Sequence, residues 1–339
     1  MSSGSGCRMT TLLQAEHLEV GYPVDGGFLA RGPRFLPIVR DASFALPAGK
    51  TLGIVGESGC GKTTLGRALL RLVPVSGGRV LWQGQDMAGF TVEELRRHRS
   101  EMQIIFQDPV AALDPRMPLG RIISRPLATF QPGLSKADLR ERATLALRQV
   151  GLSPDFANRY PHELSGGQAQ RAGIARAIIL RPKLIVCDEP VSALDVSIQA
   201  QIVNLLMDLQ DQMGLALIFI SHNLAVVRQI SHEVMVMCLG RVVEKAGRDA
   251  FYARPLHPYS KALMDAVPEP DPERERSRMG HALAGELPSV LTPPKGCVFA
   301  SRCPQVVGRC RETRPELRAF ADGRLAACHL IEDQISWPM

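Results

Sequence analysis

One short segment constrains the fold of this 339-residue chain more than any other. It has the pattern Gly-x-x-x-x-Gly-Lys-Thr from Gly56 to Thr63, and it lies between a buried-type apolar run, Thr51–Val55, and a helical pattern of leucines that starts at Leu65. Strand, glycine loop and helix in this order form a phosphate-binding loop, because the glycines let backbone N–H groups face the phosphates and the helix N-terminus adds positive potential. Lys62 is predicted to reach the β- and γ-phosphates, and the Thr63 hydroxyl to bind Mg²⁺.

Composition places the chain among ordinary globular proteins, with 45% hydrophobic and 22% charged residues. No run approaches the ~18 apolar residues that a membrane-spanning helix needs, and the first eight residues lack the apolar stretch of a secretory signal, so we expect a cytoplasmic chain that does not cross a bilayer. The net charge of +6 permits an acidic partner such as nucleotide phosphate, an anionic membrane surface or nucleic acid, and it selects none of them.

Strand-type and helix-length segments alternate along most of the chain, which predicts an α/β fold with a mainly parallel sheet covered by helices. The strand-type runs are Leu12 to Tyr22, Ile38 to Leu46, Thr51–Val55, Leu184 to Cys187, Ala216 to Ile220 and Val234 to Met237. Residues 91 to 170 are mostly helical in pattern, which predicts a helical subdomain inserted into the α/β core. We expect a nucleotide-binding domain over 1–265, with the helical subdomain at about 90–175, a proline-rich linker over 266–296, and a small cysteine-bearing extension over 297–339.

An acidic pair follows the apolar run Leu184 to Cys187. Asp188 is placed to bind Mg²⁺ at the strand tip, and Glu189 to polarise an attacking water. Such a pair alone is equally typical of a solvated loop entrance. The phosphate loop in the same chain favours the catalytic interpretation.

The segment Leu164-Ser165-Gly166-Gly167-Gln168 precedes a helical run from Arg171 to Leu180. Glycines at a helix start expose amide donors that can bind an anion, and the serine adds a hydroxyl. A plain capped helix explains the same residues when they are considered alone.

The whole set of motifs resembles the nucleotide-binding subunits of ABC transporters. Further segments match the family in order and spacing. Gln107, in Phe106-Gln107-Asp108-Pro109, matches the Q-loop, Leu164 to Gln168 match the signature motif, Ser192-Ala193-Leu194-Asp195 match the D-loop, and His222 matches the switch histidine. Tyr22, before the insertion Pro23 to Phe35, matches the aromatic residue that stacks on adenine, although a lone tyrosine at a strand end is otherwise more often structural. The resemblance implies a P-loop NTPase (RecA-like) core with an antiparallel β-subdomain and an inserted helical subdomain. Two positions depart from the family: Asn223 stands where Asp is usual, and Cys238 where an aromatic residue is frequent.

Within that family the chain looks most like the second ATPase subunit of the oligopeptide and dipeptide importers. The residues that carry this resemblance are Val55 to Lys62, Ile104 to Pro109, Val191 to Ala200 and Pro255-Leu256-His257-Pro258-Tyr259. It extends through the cysteine tail and so covers nearly the whole chain.

The resemblance implies a role for each matching residue. Glu189, His222 and Gln107 are the implied catalytic residues, and Thr63, Gln107 and Asp188 the implied Mg²⁺ site. The implied ATP-binding residues are Tyr22, Gly56, Ser58, Gly59, Cys60, Gly61, Lys62, Thr63, Thr64, Ser165, Gly166, Gly167, Gln168 and Asp195. Two such subunits close head to tail, so that the phosphate loop of one and the signature motif of the other sandwich each ATP.

The implied partners are a second ABC ATPase subunit, in a homodimer or a heterodimer, two transmembrane permease subunits and an extracytoplasmic substrate-binding protein. The implied location is the cytoplasmic face of the inner membrane, as a peripheral subunit. ATP-driven import of oligopeptides or dipeptides is the first function; nickel, heme or glutathione import, or a non-transport complex such as one for phosphonate breakdown, stays open. A nucleic-acid-associated ATPase is disfavoured, because aromatic residues make up only 5% and no basic stripe is interleaved with them.

Four of the eight cysteines lie in the tail, with the spacing Cys297-x5-Cys303-x6-Cys310-x17-Cys328. Four thiolates can hold a [4Fe-4S] cluster or a tetrahedral Zn²⁺ ion, and the wide gaps lack the C-x2-C pairs usual for structural zinc. The spacing resembles the iron-sulfur tail of the peptide-importer ATPases, which favours the cluster, while zinc and free or disulfide-linked cysteines stay open. Cys60, Cys187 and Cys238 are predicted to be small buried hydrophobic residues.

Overall fold

The structure is a computed structural model that describes residues 11–24, 34–267 and 293–334. The described chain forms two compact units. The first comprises the residues up to Glu16, Phe44–Thr51 and Arg79–Ile218, and the second comprises His17–Ser43, Leu52–Gly78 and the chain from Phe219 onward. Most of the insertion Pro23 to Phe35, and the predicted linker segment from Pro268 to Arg278, lie outside the described residues. The domain boundaries stay predictions.

The first unit contains parallel strands that the sequence identifies by their continuous apolar runs. Strand β6 (Met102–Ile105) pairs in parallel with β7 (Leu184–Asp188), with Met102 opposite Leu184 and Ile105 opposite Cys187. Every residue of β7 is buried, as is every residue of β8 (Ala216–Ile220), whose first half belongs to this unit. This confirms the predicted strands at Leu184 to Cys187 and Ala216 to Ile220, since strands covered on both faces carry apolar residues without alternation.

The first unit also contains helices. They are α2 (Val92–Arg99), α3 (Leu119–Phe130), α4 (Lys136–Gln149), α5 (Gly166–Ile178) and α6 (Val196–Met213). Capping boxes start α2 at Thr91 with Glu94 and α4 at Ser135 with Asp138, which is the local chemistry expected at helix N-termini. Strand β6 interrupts the stretch predicted as mostly helical, because four residues are too few to show a period and this strand forms through its pairing with β7.

The second unit contains a sheet with the strand order β11-β12-β10-β9-β3. Strand β3 (Thr51–Val55) runs parallel to β9 (Glu233–Cys238), and β9 runs antiparallel to β10 (Arg241–Gly247). The tail adds β12 (Leu325–Ala326) to β10 and β11 (Arg318–Ala319) to β12. The strand predicted at Val234 to Met237 is therefore confirmed, while β10, β11 and β12 were not predicted.

The helices of the second unit are short. They are α1 (Lys62–Leu69), α7 (Leu224–Ile230), α8 (Arg248–Ala253), α9 (Pro258–Asp265) and α10 (Gly308–Glu312). Asn223 accounts for the start of α7, because its Oδ1 accepts hydrogen bonds from the N–H groups of Ala225 at 3.0 Å and Val226 at 3.4 Å. The asparagine at this unusual position thus acts as an N-cap.

A separate four-stranded sheet has the order β2-β1-β4-β5. Its strands are β1 (Thr11–Val24), β2 (Arg34–Pro47), β4 (Gly77–Trp82) and β5 (Gln85–Asp86), and β4 pairs antiparallel with β5. Strands β1 and β2 confirm the predicted runs at Leu12 to Tyr22 and Ile38 to Leu46. No helix in the described ranges is long and apolar enough to cross a membrane.

Candidate functional site

The phosphate loop connects β3 to α1 and depends on its glycines. Gly56, Gly59 and Gly61 have φ values of 153°, 78° and 102°, in the region that favours glycine over other residues. A Cβ atom at Gly56 would lie 2.2 Å from the carbonyl oxygen of Met237, so no side chain fits there. The loop shape predicted from the sequence is therefore present, and it requires these residues.

Lys62 is the first residue of α1, and its side chain folds back into the loop. Its Nζ donates hydrogen bonds to the carbonyl oxygens of Gly56 at 2.8 Å and Glu57 at 2.9 Å, and the residue is only 4% exposed. No side chain caps this helix, which begins after Gly61. An ammonium group and the uncapped N-terminal end of a helix therefore lie together, an arrangement suited to a phosphate.

Cys60, within the loop, is buried, as are Cys187 and Cys238. Burial raises the pKa of the Cys60 thiol above its ordinary value, although the Lys62 charge opposes this shift. The structure confirms the prediction that these three cysteines are buried. A raised pKa keeps the Cys60 thiol protonated at neutral pH.

The acidic pair lies at the end of β7. Asp188 is the last residue of the strand and is 2% exposed, while Glu189 is half-buried. Glu189 has a φ of 46°, a left-handed backbone conformation that costs a non-glycine residue about 1–2 kcal/mol. Strain of this kind is concentrated at functional sites, where the surrounding structure maintains it.

Gln107 contacts this pair directly. Its Nε2 donates a hydrogen bond to Oε2 of Glu189 at 3.2 Å. The parallel register explains the contact: Ile105 is opposite Cys187, and each chain continues by two residues to reach Gln107 and Glu189. The structure thus brings together two of the three residues predicted to be catalytic.

Ser165 caps α5. Its Oγ accepts a hydrogen bond from the Gln168 N–H at 3.4 Å, and its own N–H donates to Gln168 Oε1 at 3.1 Å. The capped-helix interpretation is therefore correct for the local structure. Ser165 and Gly166 are nevertheless exposed, and a Cβ at Gly167 would lie 2.8 Å from Ile198 Cγ2. Gly166 is therefore open to solvent at the start of α5, while Gly167 packs against α6.

Three predicted residues lie at element ends. Asp195 precedes α6, is exposed and makes no side-chain cap. His222 follows β8 in the second unit and is exposed. Tyr22 lies near the end of β1 and is 38% exposed. All three side chains are accessible to a ligand or a partner chain.

The four tail cysteines line one cavity in the second unit, together with His257, Phe299 and His329. Burial raises the pKa of Cys297 to about 11 and also raises the pKa values of Cys303 and Cys328. The buried His329 places its Nε2 2.9 Å from the Thr313 carbonyl oxygen, and its Nδ1 has no hydrogen-bond partner among the described residues.

These donors suit a thiolate-bound metal in number and chemistry. The cavity volume is about 10 Å³, which is roughly one water-sized space, and no three His, Cys, Asp or Glu side chains of the described ranges form a group that could hold a metal ion as they stand. A [4Fe-4S] cluster does not fit this cavity without movement of its walls.

One contact of the phosphate loop could not be predicted from the sequence. The guanidinium of Arg302, in the tail, donates to both carboxylate oxygens of Glu57, at 2.7 Å and 2.9 Å. The two residues are 245 positions apart, and the only signal in the sequence is an acidic residue inside a loop that is built to bind anions.

The comparisons with known proteins agree with this geometry. A model of the ABC transporter family matches residues 39–192, and a model described as "Oligopeptide/dipeptide transporter, C-terminal region" matches residues 243–310. Among solved structures, CbiO1 from Clostridium perfringens, part of the ABC transporter complex CbiONQ, is 25% identical and covers 72% of this chain and 92% of its own, with a TM-score of 0.62. The ATP-binding cassette MJ0796, in a dimeric post-hydrolysis state with ADP and Pi, is 26% identical over 70% of this chain and 99% of its own, also with a TM-score of 0.62.

The relatives compared by sequence are more similar. The oligopeptide transport ATP-binding protein OppF of Salmonella typhimurium is 54% identical over 308 residues, which cover 90% of this chain and 92% of that protein. The probable peptide ABC transporter ATP-binding protein y4tS of Sinorhizobium fredii is 53% identical over 319 residues, 94% of this chain and 90% of that protein. With its P-loop NTPase fold and ABC-type ATPase motifs, this chain belongs to the oligopeptide/dipeptide family of ABC transporter ATP-binding subunits.

Proposed function

We propose that this chain binds and hydrolyses ATP to energise the import of oligopeptides or dipeptides through an ABC transporter. The observation that carries the proposal is the match of residues 243–310 to the oligopeptide/dipeptide transporter C-terminal region, in a chain that also has an intact phosphate loop. The names of the relatives favour peptides over nickel, heme or glutathione, and favour transport over a phosphonate-breakdown complex.

Residues of the phosphate loop and of the acidic pair take part in the proposed reaction. Lys62 binds the β- and γ-phosphates, and Thr63 and Thr64 support the nucleotide with Gly56, Ser58, Gly59, Cys60 and Gly61. Mg²⁺, when bound, screens the phosphate charge and orients the γ-phosphate. Asp188 supplies a carboxylate for this ion. Tyr22 stacks on adenine, and His222 holds the γ-phosphate.

Glu189 and Gln107 form the part of the site that acts on water. Glu189 accepts a proton from the attacking water, while the amide of Gln107 holds its carboxylate through the 3.2 Å hydrogen bond. Gln107 also supplies an oxygen for Mg²⁺, since a side-chain amide has both a donor and an acceptor. The strained φ of Glu189 supports this role, because backbone strain of this kind is concentrated at functional sites.

Residues Ser165 to Gln168, of which Ser165 and Gly166 are exposed, and the exposed Asp195 serve a partner's nucleotide. The start of α5 presents amide groups and glycines at the surface, where an anion held by a second ATPase subunit can approach. The partner is a second copy of this chain or a related subunit. The chain has its own phosphate loop, acidic pair, signature motif and switch histidine, so it is equipped for either assembly.

We further propose that the ATPase pair acts at the cytoplasmic face of the inner membrane with two permease subunits and an extracytoplasmic binding protein. A groove of about 320 Å³ in the first unit supports a permease contact. Met117, Ile122 and Phe130 form its apolar wall, and Arg125 and Arg176 line it as well. A short amphipathic segment of the permease would place its apolar face on this wall and an acidic residue near the arginines.

For the tail we propose a metal centre on Cys297, Cys303, Cys310 and Cys328. The resemblance favours a [4Fe-4S] cluster, and the small cavity favours Zn²⁺, which is a single ion. The raised thiol pKa values imply that binding releases protons, because a metal takes cysteine as thiolate. The tail is a short segment, and a metal cross-link gives such a segment one stable shape.

The proposal is tested in proteoliposomes that contain the permease pair, the second ATPase subunit and the binding protein. With this chain and ATP, uptake of a labelled peptide should exceed that of vesicles that contain the Glu189→Gln variant. ATP hydrolysis without peptide uptake, but with uptake of nickel, heme or glutathione, would contradict the proposed cargo.

A further inference from the structure

The tail contacts the phosphate loop through a paired charge. Arg302 makes its two hydrogen bonds to the Glu57 carboxylate at 2.7 Å and 2.9 Å, and the side chains are 5% and 24% exposed. A bidentate arginine–carboxylate pair of this geometry fixes orientation as well as charge. Because the pair is largely withdrawn from water, loss of one partner leaves the other charge poorly solvated.

Glu57 is also held through its backbone. Its N–H donates to the Tyr259 hydroxyl at 2.9 Å, and the buried Tyr259 ring packs against Phe299 of the tail with centroids 5.2 Å apart. Its carbonyl oxygen accepts the hydrogen bond from Lys62 Nζ at 2.9 Å. One residue therefore joins the tail to the lysine that is proposed to bind the phosphates.

The position of Glu57 has an electrostatic consequence. It is the first residue after Gly56, inside a loop whose proposed ligand carries several negative charges. An unpaired carboxylate there would repel the phosphates and compete for Lys62. The Arg302 guanidinium neutralises this carboxylate and holds it on the tail side of the loop.

We propose that Arg302 is a positioning residue of the nucleotide site, through which the cysteine-bearing tail sets the affinity of its own chain for ATP. It acts on Glu57 and through Glu57 on Lys62. The inference rests on the proposed ATP-binding function and extends it to a segment in which the sequence motifs place no nucleotide residue.

The test measures the Kd of the full chain for Mg-ATP by titration calorimetry. Arg302→Ala should weaken binding by about tenfold, the size of effect expected when a charged partner is removed. Arg302→Lys should fall between wild type and Arg302→Ala, because lysine keeps the charge and loses the bidentate geometry. Arg311→Ala is the matched control, since it removes an exposed arginine of the same tail and should leave Kd unchanged.

A second pair of variants separates charge from general damage to the tail. If the unpaired carboxylate causes the loss, the double variant Glu57→Gln with Arg302→Ala should bind ATP within about threefold of Glu57→Gln alone. If Arg302→Ala weakens ATP binding equally in the protein with Glu57 and in the Glu57→Gln variant, Arg302 has a purely structural role and the proposal is overturned. Thermal unfolding of each variant identifies unfolded protein, and Arg302→Lys carries the test if Arg302→Ala does not fold.

ATP binding by the chain and the role of Arg302 in it are tested by different outcomes. Wild-type protein that binds no ATP would overturn the proposed function. If wild type binds ATP and Arg302→Ala binds it with the same Kd, only the inference about Arg302 is overturned.

Discussion

Gln107 Nε2 lies 3.2 Å from Glu189 Oε2, and this hydrogen bond links the loops that follow β6 and β7. The contact results from the parallel pairing of β6 and β7. Ile105 lies opposite Cys187, and Gln107 and Glu189 each follow two residues later. The Gln107 amide therefore contacts the carboxylate that is proposed to activate water. This makes Glu189 the first position to test.

Glu189→Gln should reduce ATP turnover by at least about a hundredfold while Mg-ATP binding is retained, because a neutral amide does not accept the proton of the attacking water. The measurement is phosphate release under saturating ATP, together with equilibrium nucleotide binding. Lys62→Ala is the control, and it should lose ATP affinity itself because a cation that faces the phosphates is removed. Turnover of Glu189→Gln within a few fold of wild type would exclude Glu189 as the base.

Ser165→Arg should block hydrolysis in the assembled ATPase pair and leave ATP binding by its own phosphate loop nearly intact. Ser165 is exposed at the start of α5, so the bulky side chain meets the partner and not the core of its own chain. The assay requires the cognate partner subunit, and Ser165→Ala, which removes the cap without adding bulk, is the comparison. Loss of ATP binding in the isolated Ser165→Arg chain would contradict this division between the two subunits.

Anaerobically purified protein should be brown, absorb broadly near ~400 nm and contain about four iron atoms per chain if the tail holds a [4Fe-4S] cluster. Cys303→Ser should remove the colour and spare much of the ATP binding, whereas Cys7→Ser, outside the tail, should leave the colour unchanged. Metal analysis decides between the two metals. A colourless protein with one stoichiometric zinc ion would make the cluster assignment wrong.

Asn223→Ala should lower the free energy of unfolding by about 1 kcal/mol, because the Ala225 N–H and Val226 N–H lose their side-chain acceptor. Asn223→Asp should match or exceed wild-type stability, since aspartate keeps the cap and adds a negative charge at the helix N-terminus. Urea unfolding of the three proteins at one pH measures both effects. Equal stability of Asn223→Ala and wild type would show that the cap contributes nothing.

The local parts of the site could be predicted from the sequence because short-range geometry decides them. Gly56, Gly61 and Lys62 specify a loop that few other residues can form, and an adjacent apolar strand and helix complete it. The same holds for Ser165 with Gln168, whose capping box lies within four residues. Strands such as β7 and β8 were evident because burial on both faces leaves an uninterrupted apolar run.

Tertiary structure alone decided the relationships between distant segments. Strand β6 is too short to show a period and forms against β7, and β12 joins β10 although only two residues pair. Gln107 meets Glu189 across 82 positions, and Arg302 meets Glu57 across 245. No local pattern in the sequence encodes such pairs. The identity of a charged residue does not show whether it lies on an exposed face or in a buried ion pair. The sequence determined the chemistry of the phosphate loop, and the packing of the tail against that loop determined which charge neutralises Glu57.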